Sequence, residues 1–195
     1  MFYSMMFAAL LAVSAENMFL SAGMGFSRVL RAARSPRGIG PASLFVTFFS
    51  FCSSVEGYFL FPLLPAEGEK AAALRPAVLA CAAAVTYMAA AFVLKSFFPG
   101  FYEKNSRTMQ LSAINTAVLA IPYVQNSKGF GLAQSAGFAL GSGLAFFIAS
   151  ALAAGGAPSC ENPDMPKAFR GLPASLIYVG ILSMGLAGFT GGPAF

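Results

Sequence analysis

The chain has 195 residues, of which 57% are hydrophobic and 10% charged, with a formal net charge of +5 and a mean hydropathy of +0.72. An ordinary soluble domain carries roughly 25% charged residues, so this composition cannot cover an aqueous surface and excludes a water-soluble fold. The few charges lie mostly between six long apolar stretches, the pattern of a chain that spans a membrane.

A helix needs about 20 mainly apolar residues to cross a hydrocarbon core of ~30 Å. Six windows approach that length: 1–24, 39–64, 75–98, 108–124, 131–154 and 172–190. Backbone groups have no water to bond at the bilayer centre. Apolar runs without two-residue alternation therefore predict an all-α helical bundle, not a barrel. With the windows accounted for, no soluble domain is expected within these 195 residues.

The first window opens on an apolar run to Val13, and Val13-Ser14-Ala15 resembles a signal-peptide cleavage site. No Lys or Arg precedes it as a signal peptide requires, so the segment is expected to remain as a span. Glu16-Asn17 then interrupts the window, and Ser21-Ala22-Gly23-Met24-Gly25 brings glycines that loosen a helix and bare its backbone. The second window carries Cys52 and, towards its outer end, Glu56. Alanine triplets at 71–73, 82–84 and 89–91 make the third a smooth rod. The fourth is short, has Asn115-Thr116 at its middle and ends near Pro122. In the fifth, Gly137 and Gly141 form a G-x-x-x-G spacing beside Ser142-Gly143. Small residues in such patterns let helices approach closely, so these alanines and glycines are expected to be contact surface.

Lysine and arginine are retained on the cytoplasmic side of short loops. Arg28, Arg31, Arg34 and Arg37 follow the first window, Lys95 at the end of the third is joined by Lys104 and Arg107 after it, and Lys167 and Arg170 follow the fifth, nine in all (4 + 3 + 2). The other side has Lys70, Arg75 and Lys128. Residues 28–37, 99–107 and 158–170 are thus expected to face the cytoplasm and both termini the outside. The basic balance is a topology signal. Without aromatic interleaving or a reading motif it points to anionic lipid, not nucleic acid.

Soluble-enzyme chemistry finds little here. The chain has no His, and Cys52, Cys81 and Cys160 form no CxxC pair, so no metal site and no Ser-His-Asp set is expected. There is no Walker A or G-x-G-x-x-G loop either. No catalytic centre is visible.

Divided near residue 100, the chain gives halves 1–100 and 101–195 of three windows each, and an odd number forces opposite orientation. The expectation is one membrane domain of six helices as two inverted three-helix repeats, with interrupted first and fourth helices. Such folds place their site at the repeat interface near the midplane. Glu16, Asn17, Asn115 and Thr116 are the candidates there, because polar groups inside the bilayer are costly unless partnered or functional. They are expected to converge, either to satisfy backbone groups freed by the helix breaks or to line a transfer route.

Several segments carry a resemblance: Ala15-Glu16-Asn17-Met18, Phe97-Phe98-Pro99-Gly100-Phe101-Tyr102, Ile114-Asn115-Thr116-Ala117-Val118, Gln134-Ser135 with Leu140-Gly141-Ser142-Gly143, Phe169-Arg170-Gly171-Leu172-Pro173, and the ending from Ile181 to Gly191. In one register over nearly the whole length, the chain resembles the six-helix Rnf/Nqr membrane subunits, most closely the Rnf A-type and Nqr E-type. The resemblance implies two inverted repeats in the inner membrane of a bacterium or archaeon. It also implies pairing with a paralogous six-helix subunit beside flavin subunits, and a complex coupling electron transfer to Na⁺ or H⁺ movement.

By the same resemblance, each paralogue gives two cysteines, from its broken first and fourth helices, to one iron–sulfur cluster at mid-membrane. Those positions fall here on Ser27 and Thr116, and a shift of register to Ser21 restores no thiol. A neutral hydroxyl is a poor ligand for cluster iron. This chain alone is therefore expected to hold no cluster, and nothing in the pattern makes Cys52 a ligand. Two other readings keep the same scaffold: a cluster-free structural subunit, and an independent small-ion or solute transporter with Glu16 and Asn115 at its site.

Overall fold

A computed structural model describes residues 1–65 and 68–190, without the side chains of 69–72 and 189–190. The side chains of Lys70, Ala71 and Ala72, and all of Gly191, thus lie outside the described residues. These hold eight α-helices and no strand: α1 (Phe2–Val13), α2 (Phe26–Ala33), α3 (Pro36–Leu60), α4 (Glu69–Phe97), α5 (Pro99–Ala113), α6 (Thr116–Ser127), α7 (Leu132–Cys160) and α8 (Leu172–Thr190). A 3₁₀ turn at Phe61–Leu63 prolongs α3.

Three helical stretches are long and apolar enough to cross a bilayer unbroken, Pro36–Leu63, Ala73–Phe97 and Leu132–Cys160; Phe2–Val13 and Leu172–Gly188 are apolar but shorter. The first window does not form one helix over 1–24. α1 stops at Val13, about 18 Å long at 1.5 Å per residue, and the chain stays non-helical until Phe26. Gly23 and Gly25 hold left-handed φ values of 65° and 68° there, which glycine adopts without a steric penalty.

The fourth window is also two helices, α5 and α6, with the break at Ile114 and Asn115. The basic segments read as loops are partly helical. Residues 99–107 lie within α5, and residues 28–33 within the short amphipathic α2. Pro99 at the first turn of α5 explains the first case, since a proline starts a helix readily and keeps the residue before it out of the helical region. α7 likewise runs beyond 154 to Cys160.

α3 and α7 form the central pair. α1 and α2 pack on α7, α5 and α6 on α3, while α4 lies beside α3 and α8 beside α7. The glycines of α7 make the close approaches. A Cβ on Gly137 would fall on the Met5 carbonyl, 2.8 Å from its carbon, and one on Gly141 would lie 2.7 Å from Ala9 Cα. Gly143 is closed in the same way by Thr47 of α3, whose Cβ would be 2.6 Å away.

The alanine rod behaves differently. Of the described side chains of α4, only Leu79 is buried, and alanines 82–84 and 89–91 are half-buried or exposed. The smooth surface of α4 is turned mostly outwards, because α3 and α5 cover only part of it.

Candidate functional site

The first break is organised by Asn17, which is 2% exposed. Its Nδ2 donates to the Val13 carbonyl at 2.9 Å, and its Oδ1 accepts from the Phe19 and Leu20 amides at 3.1 and 3.0 Å. One amide side chain thus partners three backbone groups that the end of α1 leaves without helical bonds. The Phe19 ring packs edge-on to Phe146 of α7 at 5.2 Å, and Ser183 of α8 donates to the Leu20 carbonyl at 2.6 Å. The break is held inside the bundle by α7 and α8.

The second break uses the other asparagine. Asn115, 4% exposed, is the N-cap of α6, its Oδ1 accepting from the Ala117 amide at 3.3 Å. The two breaks meet at Gly25. Its amide donates to Thr116 Oγ1 at 2.8 Å, and its bare Cα lies so near Asn115 that an added Cβ would fall on Oδ1 and 2.9 Å from Cγ. Asn17 lies in the first break, and among the described residues its side chain hydrogen-bonds within its own segment.

Beside this contact is a recess of about 140 Å³ lined by Ser27, Arg28, Arg31, Asn115 and Thr116, among others. A larger cleft of about 630 Å³ shares Ser27, Arg28, Arg31 and Leu111 with it and adds Arg34, Arg107 and Leu172. Basic residues that follow the first and third windows therefore share one cleft with Leu172, the first residue of the sixth. Arg28 is 7% exposed. Its Nη2 donates to the Thr108 carbonyl at 3.1 Å and to Ser112 Oγ at 3.3 Å.

Glu16 stands apart from the asparagines, in an ion pair with Lys128, the residue after α6. Both side chains are about one-third exposed, at 36% and 37%. Glu56 accepts a hydrogen bond from Thr86 of α4.

Sequence reasoning missed one buried polar pair. Gln125 of α6 accepts from Ser54 Oγ and donates back to the Ser54 carbonyl, both at 2.8 Å, beside Gly57, which has Pro122 against it. Ser53 adds a bond to the Val118 carbonyl at 2.9 Å. The available signal was a glutamine one helical turn beyond Pro122, where the backbone bonding of α6 is interrupted.

The Rnf-Nqr subunit family of membrane proteins has a model that matches residues 5–192. The chain belongs to that family. It is 30% identical to the A-type subunit of the ion-translocating oxidoreductase complex of Syntrophotalea carbinolica, over 92% of this chain and 93% of the relative. It is 33% identical to the A-type subunit of the proton-translocating ferredoxin:NAD(+) oxidoreductase complex of Clostridium ljungdahlii, over 51% of each chain. Identity to the E-type subunit of the Na(+)-translocating NADH-quinone reductase of Methylococcus capsulatus is 27%, over 59% of this chain and 58% of the relative.

As an Rnf-Nqr subunit the chain is expected to offer two thiolates at its breaks, and the donors found there do not fit that half-site. Ser27 and Thr116 present hydroxyls, and the Thr116 oxygen already accepts the Gly25 amide. Arg28 and Arg31 line the same recess. Cys52, Cys81 and Cys160 sit on α3, α4 and α7, and none of them lines it. No group of three or more His, Cys, Asp or Glu that could hold a metal ion occurs among the described residues.

Proposed function

We propose that the chain is a membrane subunit of an Rnf/Nqr-like complex that couples electron transfer to Na⁺ or H⁺ translocation, and that it serves there as scaffold without ligating a cluster. The family match and the relatives support the first part. The hydroxyls of Ser27 and Thr116 carry the second, because the two breaks still meet through Gly25 while neither family position has a thiolate.

In this reading the chain crosses the inner membrane six times as two inverted three-helix repeats. Support comes from a packing pattern that keeps its form when the halves are exchanged. α1 and α2 against α7 correspond to α5 and α6 against α3, and α4 beside α3 corresponds to α8 beside α7. The broken α1–α2 and α5–α6 pairs are the equivalent interrupted helices. Both termini face outwards, and the arginine-rich end of the bundle faces the cytoplasm. The natural partner is a paralogous six-helix subunit, docked against faces such as that of α4.

A tagged chain extracted from its native membrane in mild detergent tests this. It should co-purify at constant ratio with a six-helix paralogue and flavin-bearing subunits. Recovery of the chain alone would overturn the reading and favour an independent transporter.

A further inference from the structure

The cleft at the arginine-rich end has features that the family's electron-transfer chemistry does not use. Arg28, Arg31, Arg34 and Arg107 line it, and among the described residues no carboxylate does. Arg28 is almost wholly buried and has no acidic partner among them. Removing a cation from water is expensive unless an opposite charge compensates.

Two donors are also left over. Arg28 Nε and Asn115 Nδ2 are buried without a hydrogen-bond partner; both residues line the small recess, and Arg28 lines the cleft as well. Buried polar groups are nearly always bonded, so orphan donors on Arg28 and Asn115, in a recess that shares Arg28 and Arg31 with the four-arginine cleft, call for an acceptor that carries negative charge. The cleft volume of about 630 Å³ is in the range of small-molecule sites. Leu30, Leu111 and Leu172 supply an apolar part of its wall.

We propose that this cleft binds the phosphate of an anionic ligand, with the arginines around the phosphate oxygens. The leucines favour a phospholipid head group as the source, since glycerol and the first acyl carbons would lie against them while free phosphate would leave them wet. Basic pockets between membrane helices on the cytoplasmic side bind lipid head groups by the same physics.

The full chain, purified in detergent with whatever subunits accompany it, is titrated in parallel with dioctanoyl phosphatidylglycerol, dioctanoyl phosphatidylcholine and inorganic phosphate. Thermal protection and native mass spectrometry are the readouts. The anionic lipid should raise the midpoint and remain bound at one per chain, while the phosphatidylcholine does neither. Arg31, Arg34 and Arg107 have exposed side chains, so Arg31→Gln/Arg34→Gln/Arg107→Gln is expected to fold. It should weaken lipid binding by about tenfold or more, from the loss of three cations near the phosphate. Lys95→Gln/Lys104→Gln/Lys167→Gln removes the same charge from outside the cleft and should bind as the parent does.

Protection by inorganic phosphate alone, lost in the arginine variant, supports the site with free phosphate as its source. Absence of protection by either anion overturns the proposal. So does equal binding by the parent and the arginine variant, or equal loss in both triple variants.

Discussion

Replacing Gly25 by alanine strikes the point where the two helix breaks meet. Gly25 has φ 68°, and a left-handed conformation costs an L-residue roughly 1–2 kcal/mol. The new Cβ would also fall on Asn115 Oδ1 and 2.9 Å from Cγ. Asn115 must then turn and release the Ala117 amide that it caps, at a cost of about 0.5–2 kcal/mol. The sum is roughly 1.5–4 kcal/mol. Gly23→Ala separates the terms, because Gly23 has φ 65° and nothing within 4 Å of its Cβ position. It should lose only the conformational share, roughly 1–2 kcal/mol. Asn115→Ala removes the obstacle, so Gly25→Ala/Asn115→Ala should fall short of additivity by about 1 kcal/mol. Equilibrium unfolding of the purified protein in mixed micelles with rising dodecyl sulfate, followed by circular dichroism, measures all four variants. Equal losses for Gly23→Ala and Gly25→Ala, or strict additivity with Asn115→Ala, would refute contact between the breaks.

Gly141→Val should cost roughly 3 kcal/mol or more in the same assay, because the Ala9 backbone that it meets cannot rotate away. Gly185→Ala on α8 meets nothing within 4 Å and should stabilise by about 0.5–1 kcal/mol. Gln125→Ala strands the buried Ser54 hydroxyl and should cost about 1–3 kcal/mol, part of it recovered in Ser54→Ala/Gln125→Ala. Lys128→Ala breaks an ion pair whose side chains are 37% and 36% exposed, so stability in that assay should fall by less than about 1 kcal/mol.

The membrane character, the helical class and the sites of both breaks were legible in the sequence, because a polar residue within an apolar run is conspicuous. Asn17 and Asn115 mark the two breaks. Gly137 and Gly141 were legible as contacts for a related reason: two small residues one turn apart leave a groove on any helix. The length of the first break was not. Hydropathy sums over residues and is blind to φ, so a non-helical stretch through Gly23 and Gly25 looks like the end of an apolar span.

The covered faces were equally hidden. In a bilayer both the packed and the lipid-facing sides of a helix are apolar, and the periodicity that orients a soluble helix disappears. That is why alanines on α4 suggested contact yet are half-buried or exposed. Partners distant in sequence left no local trace either. Glu16 meets Lys128 across a separation of 112 residues, through a contact between the first break and the end of α6. The recess joining Ser27 to Thr116 depends likewise on two helix ends far apart in the chain.

Iron and acid-labile sulfide per assembled complex, compared between the parent and Ser27→Ala/Thr116→Val, test most directly whether this chain takes part in a family cluster. The two substitutions remove the hydroxyls at the family's ligand positions. The account predicts the same iron and sulfide content per complex in the two preparations. Loss of iron and sulfide from complexes that remain assembled would contradict it and return Ser27 and Thr116 to a ligand role.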